Sequence, residues 1–271
     1  MSTEKQMYES CLRKNLPYFG DYMCACPGFK RRHLYLDIIV KALVENQPGE
    51  FINVLEIGSW AGASATTFAQ SLKKHNHGHG VVVSVDPWKP YHTAEQLSDN
   101  NQSIREMDRA LRQNEIFNLF LHNVSALDNE DIILPMKGTS ETVLPRLARD
   151  TFQIVYVDGD HGFKSAYRDI ATAMPLVAPG GFLCGDDLEL QIHQVDAWFT
   201  AANSHLDYVR DHQTGCWYHP GVTLAVAEVL GRVSSSEGFW YVQKAQNGWN
   251  CLPSSFSVGN EFPEHLEHLV L

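Results

Sequence analysis

The sequence has few of the features that would place a protein in a membrane or in an oxidising compartment. It contains no run of the roughly 20 apolar residues that a membrane-spanning helix needs. The first ten residues, MSTEKQMYES, lack the apolar core of a secretory signal. Six cysteines in 271 residues are too few and too dispersed for a disulfide scaffold. We therefore expect a cytoplasmic protein with mostly reduced thiols.

Positively charged residues are also scarce. The chain has 21 Lys and Arg against 32 Asp and Glu, which gives a formal net charge of −11. This deficit disfavours broad binding to nucleic acid or to an anionic membrane, because both require an excess of cations. We expect a small-molecule partner, with no nucleic acid and no membrane surface, and we expect a homo-oligomer. Hydrophobic residues at 44% and charged residues at 20% are typical of a globular domain.

Apolar runs alternate with stretches of helical periodicity along most of the chain. The runs predicted to be strands are 51–57, 81–85, 119–124, 152–157, 182–185, 222–229 and 238–242. The alternation predicts a Rossmann-like, doubly wound α/β fold with a mostly parallel, seven-stranded sheet. Because a short connection joins the last two runs, we expect them to pair as an antiparallel C-terminal hairpin.

The same pattern predicts a single domain over residues 1–271. Residues 1–32 are expected to form an N-terminal lid or extension, irregular over its first 30 residues because prolines and glycines interrupt it. Residues 33–245 form the predicted core. Residues 246–271 form a tail rich in serine and proline, which we expect to be coil with one short helix at most.

A glycine turn follows the first predicted strand, where α/β proteins bind their ligands. Its pattern is Glu56-x-Gly58-x-x-x-Gly62, and the two glycines allow the backbone to turn tightly beside a ligand. A dinucleotide-binding fingerprint would need a glycine at position 60, which is Trp60. Glu56 would also repel a diphosphate. The turn therefore favours a ligand that carries a cationic or amine group.

This turn resembles the first motif of class I S-adenosylmethionine methyltransferases, and the resemblance covers roughly residues 33–245. It implies that Gly58 and Gly62 face the methionine part of S-adenosylmethionine and that Glu56 also belongs to the cofactor-binding residues. Ser64 is similar to a serine that binds the methionine carboxylate. Asp86, which ends the second predicted strand 30 residues after Glu56, would accept hydrogen bonds from both ribose hydroxyls.

Three further residues are assigned to the same cofactor pocket. Trp60 would lie beside the sulfonium, where a cation–π contact and plain packing are both open. The segment Gly138-Thr139-Ser140-Glu141 looks like the Gly-Ala-Ser-Gln segment that packs on adenine in catechol O-methyltransferase-like enzymes, which assigns Ser140 and Glu141. The alternative is that Ser140 only caps a helix.

Acidic side chains follow two of the predicted strands. Asp158 ends the fourth strand, and Asp186 and Asp187 follow the fifth. Since adjacent parallel strands lie about 4.8 Å apart, these carboxylates should converge at one edge of the sheet. Crowded carboxylates need a cation, and oxygen ligands suit Mg²⁺ or another hard divalent ion. The sequence predicts a metal site at the three aspartates, with Asp158 also bordering the cofactor. Aspartates that merely cap helices are the alternative.

The spacing of these acids resembles the Asp…Asp-Asn metal ligands of the catechol and caffeoyl-CoA O-methyltransferases, with Asp187 in place of the asparagine. It resembles still more the macrolide-sugar O-methyltransferases of the macrocin and mycinamicin type, which carry a histidine three residues after the first aspartate, here His161. The resemblance implies metal-dependent methylation of a sugar or polyketide-type hydroxyl, ahead of a catechol, with His161 as the base. The roles of Trp88, Tyr91, His92 and His193 stay open.

Two other classes of function compete with this interpretation. Asp158-Gly159-Asp160 is an Asp-x-Asp triplet after a strand, as nucleotide-sugar glycosyltransferases use to hold a metal. That class leaves Glu56 and the glycine turn unexplained. The chain could also be a non-catalytic binding module with a methyltransferase-like fold, against which the intact acidic positions argue.

Overall fold

A central sheet organises the residues that the computed structural model describes, namely 3–25, 28, 31–92, 94, 97, 102–251 and 262–267. The strands are β1 (Ile52–Ile57), β2 (Gly80–Asp86), β3 (Ile133–Lys137), β4 (Phe152–Val157), β5 (Val177–Leu188), β6 (Val209–Arg210), β7 (Trp217–Tyr218), β8 (Ser234–Ser236), β9 (Gly238–Ala245) and β10 (Gly248–Asn250). All of them belong to the central sheet except β6 and β7, which form a separate two-stranded ribbon.

Helices cover both faces of this sheet. They are α1 (Thr3–Lys14), α2 (Arg32–Asn46), α3 (Ala63–Asn76), α4 (Gln102–Arg112), α5 (Glu115–Ala126), α6 (Ser140–Val143), α7 (Phe163–Ala173), α8 (Ala197–Asn203), α9 (Pro220–Val229) and α10 (Glu264–Glu267). Among the described residues, no helix is both long and apolar enough to cross a membrane.

The sheet has the order β10-β9-β5-β4-β1-β2-β3, and β8 pairs with β9. Strands β1 to β5 run parallel to one another, whereas β9 runs antiparallel to β5 and to β8. The strand order reverses between β1 and β4, which is where doubly wound sheets form a ligand crevice. The prediction of a mostly parallel, Rossmann-like sheet with antiparallel C-terminal strands is confirmed.

Each central strand is buried on both faces, so its alternate residues enter two different cores. Val54 of β1 packs in one core with helices α2, α3 and α5, whereas its neighbour Leu55 packs in the other with α7 and α9. This explains why β1 reads as a continuous apolar run rather than an alternating one.

Two predicted strands are helices. Residues 119–124 lie in α5, where Ile116, Leu119 and Phe120 are buried at helical spacing. The third strand is instead β3. Residues 222–229 lie in α9, whose buried Val222, Ala225 and Val226 also follow a helical period behind an initial proline. In both segments tertiary burial outweighs β-branched or aromatic strand propensity. The C-terminal hairpin is therefore formed by β8 and β9.

The N-terminal segment is more regular than its prolines and glycines suggested. Residues 3–14 form α1, and Tyr18, Met23 and Ala25 are buried in the same core as β1 and α2. Within the predicted tail, β10 pairs with β9 and α10 lies farther on. Parts of this tail and of the predicted polar stretch 88–101 lie outside the described residues.

Gly58, directly after β1, permits the closest backbone approach at the crevice. Its φ is +88°, and a Cβ at this position would lie 1.9 Å from the carbonyl oxygen of Asp158. No side chain fits there, because the loops after β1 and β4 touch through their backbones. Gly49 has a similar φ of +80°, but a Cβ at that position would meet no atom within 4 Å beyond its chain neighbours.

Replacing Gly58 with alanine should therefore cost much more stability than the same change at Gly49. Gly49→Ala incurs only the left-handed backbone penalty, about 1–2 kcal/mol. Gly58→Ala adds a steric clash that should cost about 1–3 kcal/mol more. Urea denaturation of both variants measures the difference. Equal losses in the two variants would show that the loops are not in contact.

Candidate active site

The crevice at the reversal point is assembled from the loops after β1, β2 and β4. The backbone N–H of Gly58 donates to the carbonyl of Val85 at 2.9 Å, and the N–H of Asp158 donates to the carbonyl of Ile57 at 2.9 Å. Gly62, with a φ of +88°, leads directly into α3. The two glycines of the predicted motif thus bring three strand ends and the start of one helix to a single edge.

Glu56 lies beneath this glycine loop and has no exposed surface. Its carboxylate accepts hydrogen bonds from the hydroxyls of Ser64 and Ser84, the second at 2.9 Å. Burial raises the pKa of Glu56 to about 7, although the hydroxyls of Ser59, Ser64 and Ser84 act in the opposite direction. Glu56 and Ser64 therefore support the loop from below, and their contact with a cofactor stays a prediction.

Asp86 shapes the two loops beside it. One carboxylate oxygen accepts the backbone N–H groups of Ser59 and Trp60 at 3.1 and 3.0 Å, and the other accepts that of Trp88 at 2.6 Å. Burial raises the pKa of Asp86 against the opposing effect of these hydrogen bonds. Asp86 thus lies at the predicted strand end next to the glycine loop. Its carboxylate fixes the backbone of both loops through these hydrogen bonds. Its contact with a ribose stays a prediction.

Trp60 and Trp88 connect the glycine loop to its surroundings. The indole of Trp60 donates to the carbonyl of Cys24 at 3.1 Å, which attaches the N-terminal segment to the loop. The indole of Trp88 donates to the carbonyl of Trp60 at 2.8 Å. The Trp88 ring is buried and packs on Phe117 and Phe120, with ring centroids 4.7 and 4.9 Å away. Trp88, whose role the sequence left open, therefore packs in the core.

Ser140 and Glu141, assigned to the adenine end, point to α7. The Ser140 hydroxyl donates to Asp169 at 2.5 Å, and burial raises the pKa of Asp169 to about 6. Glu141 is exposed and pairs with Arg168 at 3.3 Å. The interpretation of Ser140 as a helix cap is wrong, because the capping position is Thr139. An adenine contact of Ser140 or Glu141 stays a prediction.

Asp158, directly after β4, converges with Asp186 as predicted, although Asp186 and Asp187 lie within the longer strand β5 rather than after it. Val157 and Gly185, the residues before them, are register partners in the parallel pair. The two carboxylates meet at one nitrogen atom, Nη1 of Arg32, at 2.6 Å from Asp158 and 2.7 Å from Asp186. No sequence signal pointed to Arg32, which lies 126 residues before Asp158.

Asp187, the third predicted ligand, points toward histidines. Its φ of +65° is rare for a residue with a side chain and turns the carboxylate away from that of Asp186. Asp187 Oδ2 lies 3.0 Å from His161 Nε2, and its Oδ1 lies 3.8 Å from His219 Nδ1. The structure therefore divides the three predicted metal ligands into a pair that shares Arg32 and a third that faces His161.

His161 is held from both sides of its ring. Its Nδ1 contacts Asp207 at 2.6 Å, opposite the contact between Nε2 and Asp187. Burial lowers the pKa of His161, but the carboxylates of Asp187 and Asp207 outweigh it, so that the pKa lies well above its ordinary value. In this arrangement both ring nitrogens face carboxylate oxygens. A proton can be accepted at Nε2 only once Asp187 has turned elsewhere.

Further residues around His161 carried no recognisable sequence pattern. The His219 ring packs edge-on against His161 with centroids 4.6 Å apart, and its Nδ1 contacts Glu189 at 3.0 Å. Tyr208 packs against His219 and stacks on Trp217, with an angle of 13° between the rings of that pair. Both Tyr208 and Trp217 are exposed. Tyr208 directly precedes β6 and Trp217 lies in β7, so the two rings extend the aromatic contacts of the His161–His219 pair.

Asp160 has a different task from its neighbour Asp158. Its Oδ1 accepts the backbone N–H of Gly162 at 2.8 Å and its Oδ2 accepts the hydroxyl of Ser165 at 3.3 Å, at the start of α7. The triplet Asp158-Gly159-Asp160 does not direct two carboxylates to one point. This geometry removes the basis for the glycosyltransferase alternative.

The resemblance implies a divalent metal ion at the acidic residues, and the side chains fit one. Asp158 and Asp186 already bind a single cationic nitrogen, and carboxylate oxygens are the ligands that hard divalent ions prefer. In addition, one ligand atom from each of Asp158, His161 and Asp187 lies within 4.8 Å of the other two. Asp158 belongs to both arrangements, which makes it the central ligand of a candidate metal site.

Residues 55–188 match the family model described as a methyltransferase domain. The match runs from β1 to the end of β5, so it includes the glycine loop and all three aspartates. These residues are a class I methyltransferase domain, and the resemblance to S-adenosylmethionine-dependent O-methyltransferases is confirmed at this level. No curated protein matches the sequence.

Solved structures of O-methyltransferases have a similar fold. The O-methyltransferase NovP superposes with a TM-score of 0.53 and 18% identity, covering 80% of each chain. The calicheamicin methyltransferase CalS11 has a TM-score of 0.48 and 16% identity, covering 90% of this chain and 93% of that chain. An O-methyltransferase from Bacillus cereus in complex with SAH has a TM-score of 0.47 and 17% identity, covering 90% of this chain and 91% of its own.

Glu56→Gln should change how stability depends on pH. With a folded-state pKa of about 7 against an ordinary value of 4.5, Glu56 retains a proton in the folded protein that the unfolded chain has already lost. The wild type should therefore lose stability as the pH rises through this window. The difference in the free energy of unfolding between the variant and the wild type should therefore shift in favour of the variant by about 3 kcal/mol from pH 4 to pH 8.

Urea denaturation at a series of pH values measures this difference. Glu50→Gln, which changes an exposed glutamate just before the same strand, is the matched control and should run parallel to the wild type. A Glu56→Gln curve that also runs parallel to the wild type would show that Glu56 is ionised in the folded protein throughout this range.

Proposed function

We propose that the protein transfers a methyl group from S-adenosylmethionine to a hydroxyl of a small molecule, with the help of Mg²⁺ or another hard divalent ion. The observation that carries the proposal is the contact between the Gly58 turn and Asp158, whose carboxylate converges with that of Asp186. The donor loop, which follows β1, and Asp158, which follows β4, therefore lie in contact at one edge of the sheet. The methyltransferase domain match supports the donor assignment.

The proposed acceptor is a sugar or polyketide-type hydroxyl of specialised metabolism, ahead of a catechol. Tyr208 and Trp217 support an acceptor site beside His161, because exposed aromatic faces can pack against the apolar face of a ring. Tyr208 directly precedes β6 and Trp217 lies in β7, so the proposed acceptor site would border the ribbon β6–β7.

The reactivity would come from two bound groups, S-adenosylmethionine and a divalent metal ion. When bound, S-adenosylmethionine supplies an electrophilic methyl group, and a divalent ion at Asp158 and Asp186 lowers the pKa of a nearby hydroxyl. The residues of the chain position the two reactants. The Gly58 turn leaves no room for a side chain at the donor pocket, and Asp158 connects that pocket to the acceptor side. Holding the two reactants in line accounts for much of the rate gain.

His161 is the proposed acceptor of the hydroxyl proton. Asp207 holds its Nδ1, which orients Nε2 toward the acidic residues. For this role the contact between Nε2 and Asp187 must open, and metal ligation by Asp187 is the proposed cause. We also propose a cytoplasmic homo-oligomer without a nucleic-acid or membrane partner.

The primary experiment combines donor binding with turnover. Calorimetry should detect S-adenosylmethionine but not UDP-glucose, and a chelator should abolish methyl transfer to a panel of glycosides, polyketides and catechols. Donor binding without transfer to any acceptor would favour the non-catalytic binding module. Binding of UDP-glucose alone would restore the glycosyltransferase. Turnover that survives chelation would contradict metal assistance.

Asp186→Asn should lower turnover by at least about a hundredfold, because it removes one charge from the metal pair while leaving the donor loop intact. The dissociation constant for S-adenosylmethionine should change little. Asp160→Asn is the matched control, since Asp160, two residues beyond Asp158, accepts hydrogen bonds from Gly162 and Ser165 at the start of α7. Its turnover should stay near that of the wild type. Equal losses in the two variants would argue against a metal at Asp186.

His161→Gln should lower the turnover number by about 10²–10⁴-fold, the usual contribution of a general base. Donor affinity should persist, because His161 lies on the acceptor side of Asp158. His122→Gln in α5 serves as the control, because the His122 ring contacts the carbonyl of Leu16 at 2.8 Å rather than the acidic residues. Steady-state kinetics on both variants provide the comparison, and an unaltered turnover number for His161→Gln would remove the base assignment.

A further inference from the structure

Arg32 occupies the point at which the two convergent aspartates meet. It is the first residue of α2, and its Nη1 lies 2.6 Å from Asp158 Oδ2 and 2.7 Å from Asp186 Oδ2. The same nitrogen contacts the hydroxyl of the buried Tyr156 at 3.2 Å. The Arg32 side chain is only 11% exposed. One guanidinium nitrogen thus takes the position at which a metal ion would meet both carboxylates.

Arg32 makes two ion pairs, but its hydrogen-bonding capacity is not fully satisfied. Its Nε is buried and has no hydrogen-bond partner among the described residues. A buried N–H without a partner costs free energy, which offsets part of the ion-pair attraction. Gly28, with a φ of +71°, covers the guanidinium, and a Cβ there would lie 1.8 Å from Nη2.

The charges explain why a metal ion can replace this arginine. Asp158 and Asp186 carry two negative charges when ionised, and the guanidinium supplies one positive charge. A divalent ion supplies two and binds carboxylate oxygens at about 2.1 Å, closer than any nitrogen donor. Arg32 already contacts Oδ2 of both aspartates, so an ion held by these two carboxylates would compete with the guanidinium for them.

We propose that Arg32 is a built-in counter-ion of the Asp158–Asp186 pair, and that a divalent ion binds the pair only by displacing the guanidinium. This inference rests on the proposed function in one respect, the metal ion at these aspartates. Arg32 stabilises the buried carboxylates while no metal is bound. The apparent metal affinity is then the intrinsic affinity multiplied by the fraction of molecules in which Arg32 has released the pair. Metal binding then releases Arg32 and the Gly28 turn that packs on it.

Mn²⁺ binding to the full chain, followed by calorimetry and by electron paramagnetic resonance, tests the proposal without an activity assay. Arg32→Gln removes the competing cation, so its apparent affinity for Mn²⁺ should rise about tenfold or more. Without metal, its melting temperature should fall below that of the wild type, because two buried carboxylates lose their partner. Mn²⁺ should then raise the melting temperature of Arg32→Gln more than that of the wild type.

Arg31→Gln is the matched control. It removes the same charge one residue earlier, from an ion pair with Glu237 at 2.7 Å in which both side chains are 39% exposed. Its affinity for Mn²⁺ should stay within about twofold of the wild type, since exposed charges are strongly screened. Arg32→Lys keeps a cation but not the guanidinium. It should give an intermediate affinity, and it carries the test if Arg32→Gln does not fold.

The failure of this inference is distinguishable from the failure of the proposed metal site. Unchanged or weaker Mn²⁺ binding in Arg32→Gln and Arg32→Lys, beside a wild type that binds Mn²⁺, overturns the displacement and leaves the metal site standing. An Arg31→Gln affinity that rises as much as that of Arg32→Gln also overturns it, because the effect is then one of net charge. Absence of Mn²⁺ binding in all four proteins overturns both.

Discussion

This site depends on the neutralisation of buried carboxylates at the carboxyl edge of the sheet. The parallel pairing of β4 and β5 places Asp158, directly after β4, beside Asp186 within β5. Burial raises the pKa of both, and the Arg32 guanidinium opposes that effect. Asp187 avoids the same crowding by turning its carboxylate to His161 and His219, which hold its pKa below the ordinary value despite burial. Arg32 and His161 are thus both held by carboxylates at this edge.

The same edge joins the donor loop to the acidic residues. Because the strand order reverses between β1 and β4, the turns after these two strands lie side by side, and Gly58 lets their backbones touch. Glu56 and Asp86 act from below and beside the loop through hydroxyl and backbone hydrogen bonds. These polar contacts make the loop a rigid part of the fold, which is what a site that depends on reactant alignment needs.

How far the sequence could predict this arrangement depends on the range of each interaction. Short-range patterns were sufficient for β1, for the glycine turn and for the convergence of Asp158 with Asp186, since each follows from strand periodicity and parallel pairing. They failed for residues 119–124 and 222–229, where β-branched and aromatic residues lie on buried helix faces.

Long-range contacts left no local pattern in the sequence. Arg32 reaches Asp158 from the start of α2, and Asp207 reaches His161 from the segment before β6. The rotation of the Asp187 carboxylate depends on a left-handed backbone that neighbouring residues do not signal. Polar partners far apart in the chain therefore escape prediction, although they determine the charge state of the site.

A crystal structure of the full chain with S-adenosylhomocysteine and Mn²⁺, with anomalous data at the manganese edge, tests the central claim most directly. The account predicts an anomalous peak between Asp158 and Asp186, the Arg32 guanidinium withdrawn from both, and the sulfur beside the Gly58 turn. Arg32 still bridging the two aspartates with no peak between them, or a sulfur on the opposite edge of the sheet, would contradict it.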